Sequence, residues 1–178
     1  MLKIIGIIVI VLVVAILALL IYASTKPDTF TVKRSLTIKA PPERIFPLIN
    51  DFRNWTQWSP WEHRDPALKR TYSGADQGKG ATYAWEGNRN VGSGQMEIID
   101  TSVPRKIIIK LDFIKPFEGH NVAEFTLEPQ GDATNVNWEM HGPVPFIGKI
   151  MHTLMDMDKM IGTDFAAGLA SIKAVAEK

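Results

Sequence analysis

The sequence predicts an α+β fold: a curved antiparallel sheet wrapped around a long C-terminal helix, with two short helices after the first strand and a transmembrane helix at the N-terminus. Three observations carry this. The run from Ile4 to Tyr22, IIGIIVIVLVVAILALLIY, holds no charge. Between Gly80 and Met140 apolar residues recur at every second position, the period of a half-buried strand, and Gly or Pro stands at each break. From Ile147 to Ile172 they recur every three or four residues, the stripe of one helix about seven turns long.

At ~1.5 Å per residue the N-terminal run spans about 28 Å, close to the hydrocarbon thickness of a bilayer. Its apolar stretch is longer than that of a cleaved secretory signal, and Ile21 stands where a signal would place a small residue before a cut after Ala23. A helix apolar on every face also has no polar side to show to water. The chain is therefore read as residues 1–25, an anchor; 26–30, a linker; and 31–178, one globular domain. Its location is the membrane, single-pass through residues 4–22. For the side of the domain, two rules oppose each other. Lys26, Lys33, Arg34 and Lys39 after the run favour a cytoplasmic domain, whereas a short N-terminal tail before an anchor favours the reverse.

The linker STKPDT is polar and contains a proline, so it holds the globular domain close to the bilayer. In FTVKRSLTIKA, Val32, Leu36 and Ile38 share one parity, which makes a first strand. Pro41 and Pro42 end it and preset a short helix with Ile45, Phe46, Leu48 and Ile49 as its apolar face. HRDPALKRTYSG reads as a second short helix or turn ending at Gly74. The meander comes next: Tyr83 and Trp85; Met96 and Ile98; Ile107, Ile109, Leu111 and Phe113; Ala123, Phe125 and Leu127; then Val136, Trp138 and Met140. Parity in the last two segments requires paired residue numbers to sum to an odd value, and 261 fits the EPQGDA turn, which sets His120 beside His141.

Balanced charge, 20 Lys+Arg against 19 Asp+Glu, leaves no global field to attract nucleic acid, and no basic stripe is interleaved with aromatics. With no cysteine, disulfide scaffolds, thiol catalysis and cysteine metal sites are excluded. His63, His120, His141 and His152 form neither HExxH nor any ligand spacing, and no GxSxG is present. The glycine-rich SGADQGKG and EGNRNVGSG lack the strand-to-helix context of a phosphate loop. Of the acids, Glu62, Asp65, Asp112, Glu124 and Glu139 are scattered. Only Asp100 shares parity with Met96 and Ile98, so it alone could face an interior as a base.

The order strand, two short helices, antiparallel strands and one long helix is the helix-grip arrangement. Within it, TIKAPPERIFPLINDFRNWTQWSPW resembles the opening of the START-like (SRPBCC) superfamily of polyketide cyclases, dehydrases and lipid-transfer domains, where A-P-P-E-x-[IV]-F feeds a helix and W-x-x-W-S-P comes after it. The resemblance covers roughly residues 31–175. It implies a cavity between sheet and helix used for apolar or amphipathic small molecules. It does not by itself imply a reaction.

Candidate ligand-binding residues are given by placement. Trp55, Trp58 and Trp61, three of the five tryptophans, sit in a polar stretch and either seal one end of the core or rim a cavity mouth. Tyr83, Trp85, Met96, Ile98, Phe113, Phe125, Trp138 and Met140 point from the strands to the greasy face, and Met151, Leu154 and Met155 join them from the helix. Methionine repacks easily around variable guests. The expected function is membrane-tethered binding of a lipid- or isoprenoid-like molecule, with no cofactor, no metal and no catalytic residue assigned. The alternatives are a cyclase- or dehydrase-type enzyme, which needs a titratable group facing the cavity, and a protein-interaction module, which needs a filled interior and an exposed apolar patch.

Overall fold

A computed structural model describes residues 2–178; Met1, the first residue of the expected anchor, lies outside them. α1 (Leu2–Ser24) is followed by β1 (Thr29–Ile38), α2 (Pro42–Asn50) and a 3-10 helix at Phe52–Gln57. The strands β2 (Lys69–Gly74), β3 (Ala81–Glu86), β4 (Ser93–Ser102), β5 (Lys106–Lys115), β6 (Gly119–Gln130) and β7 (Ala133–Pro143) come next, then α3 (Phe146–Leu154) and α4 (Met157–Ala176). One antiparallel sheet of order β1-β7-β6-β5-β4-β3-β2 receives α2, the 3-10 helix and α4 on its concave face, as the sequence predicts.

The core forms where period-2 strands meet the period-3.6 stripe. Ile107, Ile109, Phe125, Leu127 and Val136 from the sheet are fully buried, together with Phe165, Leu169 and Ile172 of α4 and Ile45 and Ile49 of α2. Two glycines let α4 lie close. A Cβ on Gly168 would stand 2.8 Å from Trp138 Cζ3, and one on Gly162 would collide with the Arg34 guanidinium. Arg34 passes beneath Gly162 and donates to the Asp158 carboxylate, Nη2 to Oδ2 at 2.9 Å. That pair holds the Asp158 carboxyl below its ordinary range, through the hydrogen bond above all, with burial opposing it and the Arg34 charge adding less.

Four expectations need correction. The C-terminal stripe is two helices: Met155 is extended, and Asp156 caps α4 by accepting from the Lys159 N–H at 2.9 Å. Consequently Ile147 and Leu154 are exposed while Phe165 to Ile172 carry the packing. Residues 69–74, read as helix or turn, are the edge strand β2. The β6–β7 hairpin closes on two residues, Gly131 at φ +65 and Asp132, so partners sum to 263. His141 therefore faces Val122, and His120 pairs across β5 with Asp112, Nδ1 to Oδ1 at 2.8 Å. Finally, a bulge between Ile98 and Asp100 breaks the parity of β4 and turns Asp100 out to solvent.

Candidate functional site

The tryptophan stretch is local structure before it is a site. Asp51 caps the 3-10 helix by accepting from the Arg53 N–H, and this turn folds Trp55 and Trp58 inward. Their indole N–H groups donate to Ile49 O at 2.9 Å and Leu48 O at 2.7 Å, so both rings seal the core with their polar atoms satisfied. Trp61 stays half-buried, edge-on to Trp138 and Phe165.

Around these rings the centre of the grip is filled. Trp138 stacks on Phe165 at 4.0 Å between centroids with 6° between planes, and on its other neighbour, Phe125, at 4.7 Å. Trp58 meets both Phe125 and Trp138 edge-on. A second aromatic row, Tyr72, Tyr83, Trp85 and Phe113, crosses β2 to β5. Met96, Ile98 and Met140 are core residues between the two. Within this packed centre the Trp138 Nε1–H is buried and has no acceptor.

Open volume lies elsewhere, at the α3–α4 break. A hollow of ≈ 390 Å³ is lined by His152, Thr153, Leu154, Met155, Asp156, Met157 and Asp158, and a second of ≈ 450 Å³ adjoins it between Arg64, Lys159, Met160 and Asp164. Of the expected ligand residues, Leu154 and Met155 line the first hollow and are exposed, and half-buried Met151 stands one turn before it. His152, edge-on to Phe30 at 5.8 Å, is a half-buried titratable group on the lining of this hollow. Burial favours its neutral form, which leaves an imidazole able to accept a proton or a hydrogen bond.

α3 itself is held by the end of α1. Ala23 is fully buried there, Lys149 Nζ meets Asp28 Oδ1 at 2.5 Å, and the Val144 N–H donates to Asp28 O at 2.7 Å.

Sequence reasoning passed over one cluster. Glu62 is buried; it accepts from the Tyr83 hydroxyl at 2.7 Å and from Arg70 Nε at 2.6 Å, while Arg70 also donates to the Glu62 carbonyl. Burial, and then the hydrogen bond to Glu62, push the Tyr83 phenol far above its ordinary range. Every polar atom of the Glu62 side chain has a partner, so the cluster works as a clamp between the loop and β2–β3. Among the described residues no group of three or more His, Cys, Asp or Glu could hold a metal ion.

A curved antiparallel sheet closed by a C-terminal helix, with a hollow at one end of that helix, defines the helix-grip class of small-molecule-binding folds. The chain belongs to the polyketide cyclase / dehydrase and lipid transport family, whose model matches residues 29–177. No curated protein matches it. Similar solved structures include protein MLL2253 of Mesorhizobium loti, 14% identical over 83% of this chain and 97% of that one, TM-score 0.61. Protein CV1439 of Chromobacterium violaceum is 15% identical over 86% and 99%, TM-score 0.58. The Aha1 dimer of Colwellia psychrerythraea is 18% identical over 83% and 96%, TM-score 0.58. At these identities the likeness speaks for the fold alone.

Proposed function

We propose that residues 31–178 bind an apolar or amphipathic small molecule of lipid or isoprenoid type, taken from the bilayer that α1 spans. The observation that carries this reading is the helix break. It opens a hollow at the end of α3, lined by His152 to Asp158, and α3 is the element packed on the end of α1. α1 is long and apolar enough to cross a membrane, and Ile4 to Leu17 touch nothing else in the molecule. A poorly soluble guest concentrated in the bilayer thus meets the hollow at high local concentration.

The filled centre limits such a guest to the anchor-proximal half of the concave face. There Trp85, Leu111, Phe113 and Met151 are only half-buried, and side chains of this kind gain about 25 cal/mol for each Å² of apolar surface removed from water.

Native mass spectrometry of the full chain, extracted in a mild detergent, tests the reading. A reproducible co-purifying apolar molecule, reduced in Met151→Arg, is the expected result; a chain that is always empty overturns it. The second reading, a protein-interaction module, is favoured by the packed Trp58–Trp138–Phe165 centre together with exposed apolar residues. It predicts the empty chain, with a protein retained in its place.

A further inference from the structure

Strand direction makes the two ends of the sheet different. β1 begins at Thr29, with four residues between it and the end of α1, and Thr29 lies opposite Pro143 at the end of β7. The β6–β7 register continues this row to the start of β6 near His120, and β5–β6 pairing places Asp112 opposite His120. Residues 114–118, the end of β5 and the β5–β6 turn, here taken together as that turn, therefore project past the row on the side where α1 leaves the domain. At ~3.4 Å per residue, the two or three residues beyond the row carry the turn about 7–10 Å outward.

Four of the domain's exposed apolar side chains stand at this end, apart from those at the α3–α4 break, Leu154, Met155 and Met160. Ile114 and Phe117 stand on the turn, 57% and 63% exposed, and Phe146 and Ile147 stand on the first turn of α3, 49% and 62% exposed. Soluble surfaces seldom gather such residues unless something covers them. At the opposite end of β5, Val103 is exposed among Ser102, Pro104 and Arg105. The level of the membrane–water boundary is marked by Tyr22, whose hydroxyl accepts from Lys26 Nζ at 2.9 Å, an aromatic and a cation of the kind found at interfaces. Charges bordering the rim are of both signs, Lys26 and Lys115 against Asp28 and Glu118.

We propose that Ile114 and Phe117 of the β5–β6 turn, with Phe146 and Ile147 of α3, form a docking surface that seats the domain face-down on the bilayer anchoring α1. The proposal rests on α1 spanning that bilayer and is independent of whether a guest binds. The rim continues a contact already made by the anchor, that of α1 with α3, and this continuity selects the bilayer over a soluble partner. Mixed charge means that the contact is apolar, so it needs no anionic lipid.

The chain has no cysteine, so single cysteines report cleanly. Ile114→Cys, Phe117→Cys, Ile147→Cys and Val103→Cys in the full chain, each labelled with an environment-sensitive fluorophore, are reconstituted into phosphatidylcholine vesicles. Membrane anchoring is checked by retention in the pellet after alkaline carbonate. Labels at 114, 117 and 147 are expected to shift to the blue and to lose quenching by aqueous iodide, unchanged by high salt, while the label at 103 stays quenchable. Equal quenching at all four sites in vesicle-retained protein overturns the docking surface and leaves α1 as a span. Shielding that disappears when the protein is diluted into excess lipid assigns the surface to a second copy, and loss of the protein on carbonate treatment removes the anchor itself; either result overturns the proposal.

Discussion

The two halves of the concave face use similar residues to different ends. Far from the anchor, Trp55, Trp58, Trp138, Phe125 and Phe165 interlock, and both indoles of the loop find backbone acceptors. Near the anchor, Met151, Leu154, Met155 and Phe146 are half-buried or exposed, beside a hollow of ≈ 390 Å³. Aromatic and methionine content is therefore no guide to which half receives a guest. What separates the halves is the partner element: α4 is drawn down by two glycines, whereas α3 is held outward by α1.

Removing the keystone of the closed half has the largest expected effect. Trp138→Ala should lower unfolding stability by about 3–5 kcal/mol, measured by denaturant titration, because a large stacked ring leaves a cavity that cannot collapse. Glu62→Ala leaves the Tyr83 hydroxyl and Arg70 without their acceptor, and should lower stability by about 3 kcal/mol in the same measurement. Gly168→Ala forces α4 off Trp138 and should lower it by roughly 1–3 kcal/mol. An equal loss from Gly148→Ala, on α3, would show that the two halves are packed alike.

Alkaline pH sharpens the contrast further. The Tyr83 pKa is raised on folding, so its contribution is complete below the unfolded tyrosine value of about 10 and is lost as pH rises above it. Melting temperature followed from pH 8 to 11 should fall less steeply in Tyr83→Phe than in the parent. Smallest of all, Phe117→Ser on the open rim should alter stability in detergent by less than about 0.5 kcal/mol.

Much of this was legible in the sequence. Alternation from Tyr83 to Met140 reports burial on one face, and a charge-free run reports a long apolar helix, so these strands and α1 could be read, though neither the bulge at Ile98–Asp100 nor the β6–β7 register could. The edge strand β2 escaped because KRTYSG has a single large apolar residue, Tyr72; an exposed edge is built from polar and charged residues and shows no greasy alternation. The break in the last helix escaped because Leu154, Met157 and Ile161 keep helical spacing straight through it. Only Asp156, a capping residue, signals a new start. The closed centre was invisible for another reason: whether Trp138 and Phe165 stack or stand apart depends on how near α4 comes, and Gly168 sets that distance across a long stretch of chain.

Brevity of the connection from α1 to β1 decides what kind of work is open to the protein. Ser24 and Thr29 can separate by no more than about 18 Å even when fully stretched, and Asp28 is already tied to Lys149 and Val144. With α1 embedded, the globular part can never swing across a gap to a second membrane. On the function proposed above, a passenger would be received and surrendered on the leaflet where it was found, which would make the molecule a fixed berth rather than a ferry.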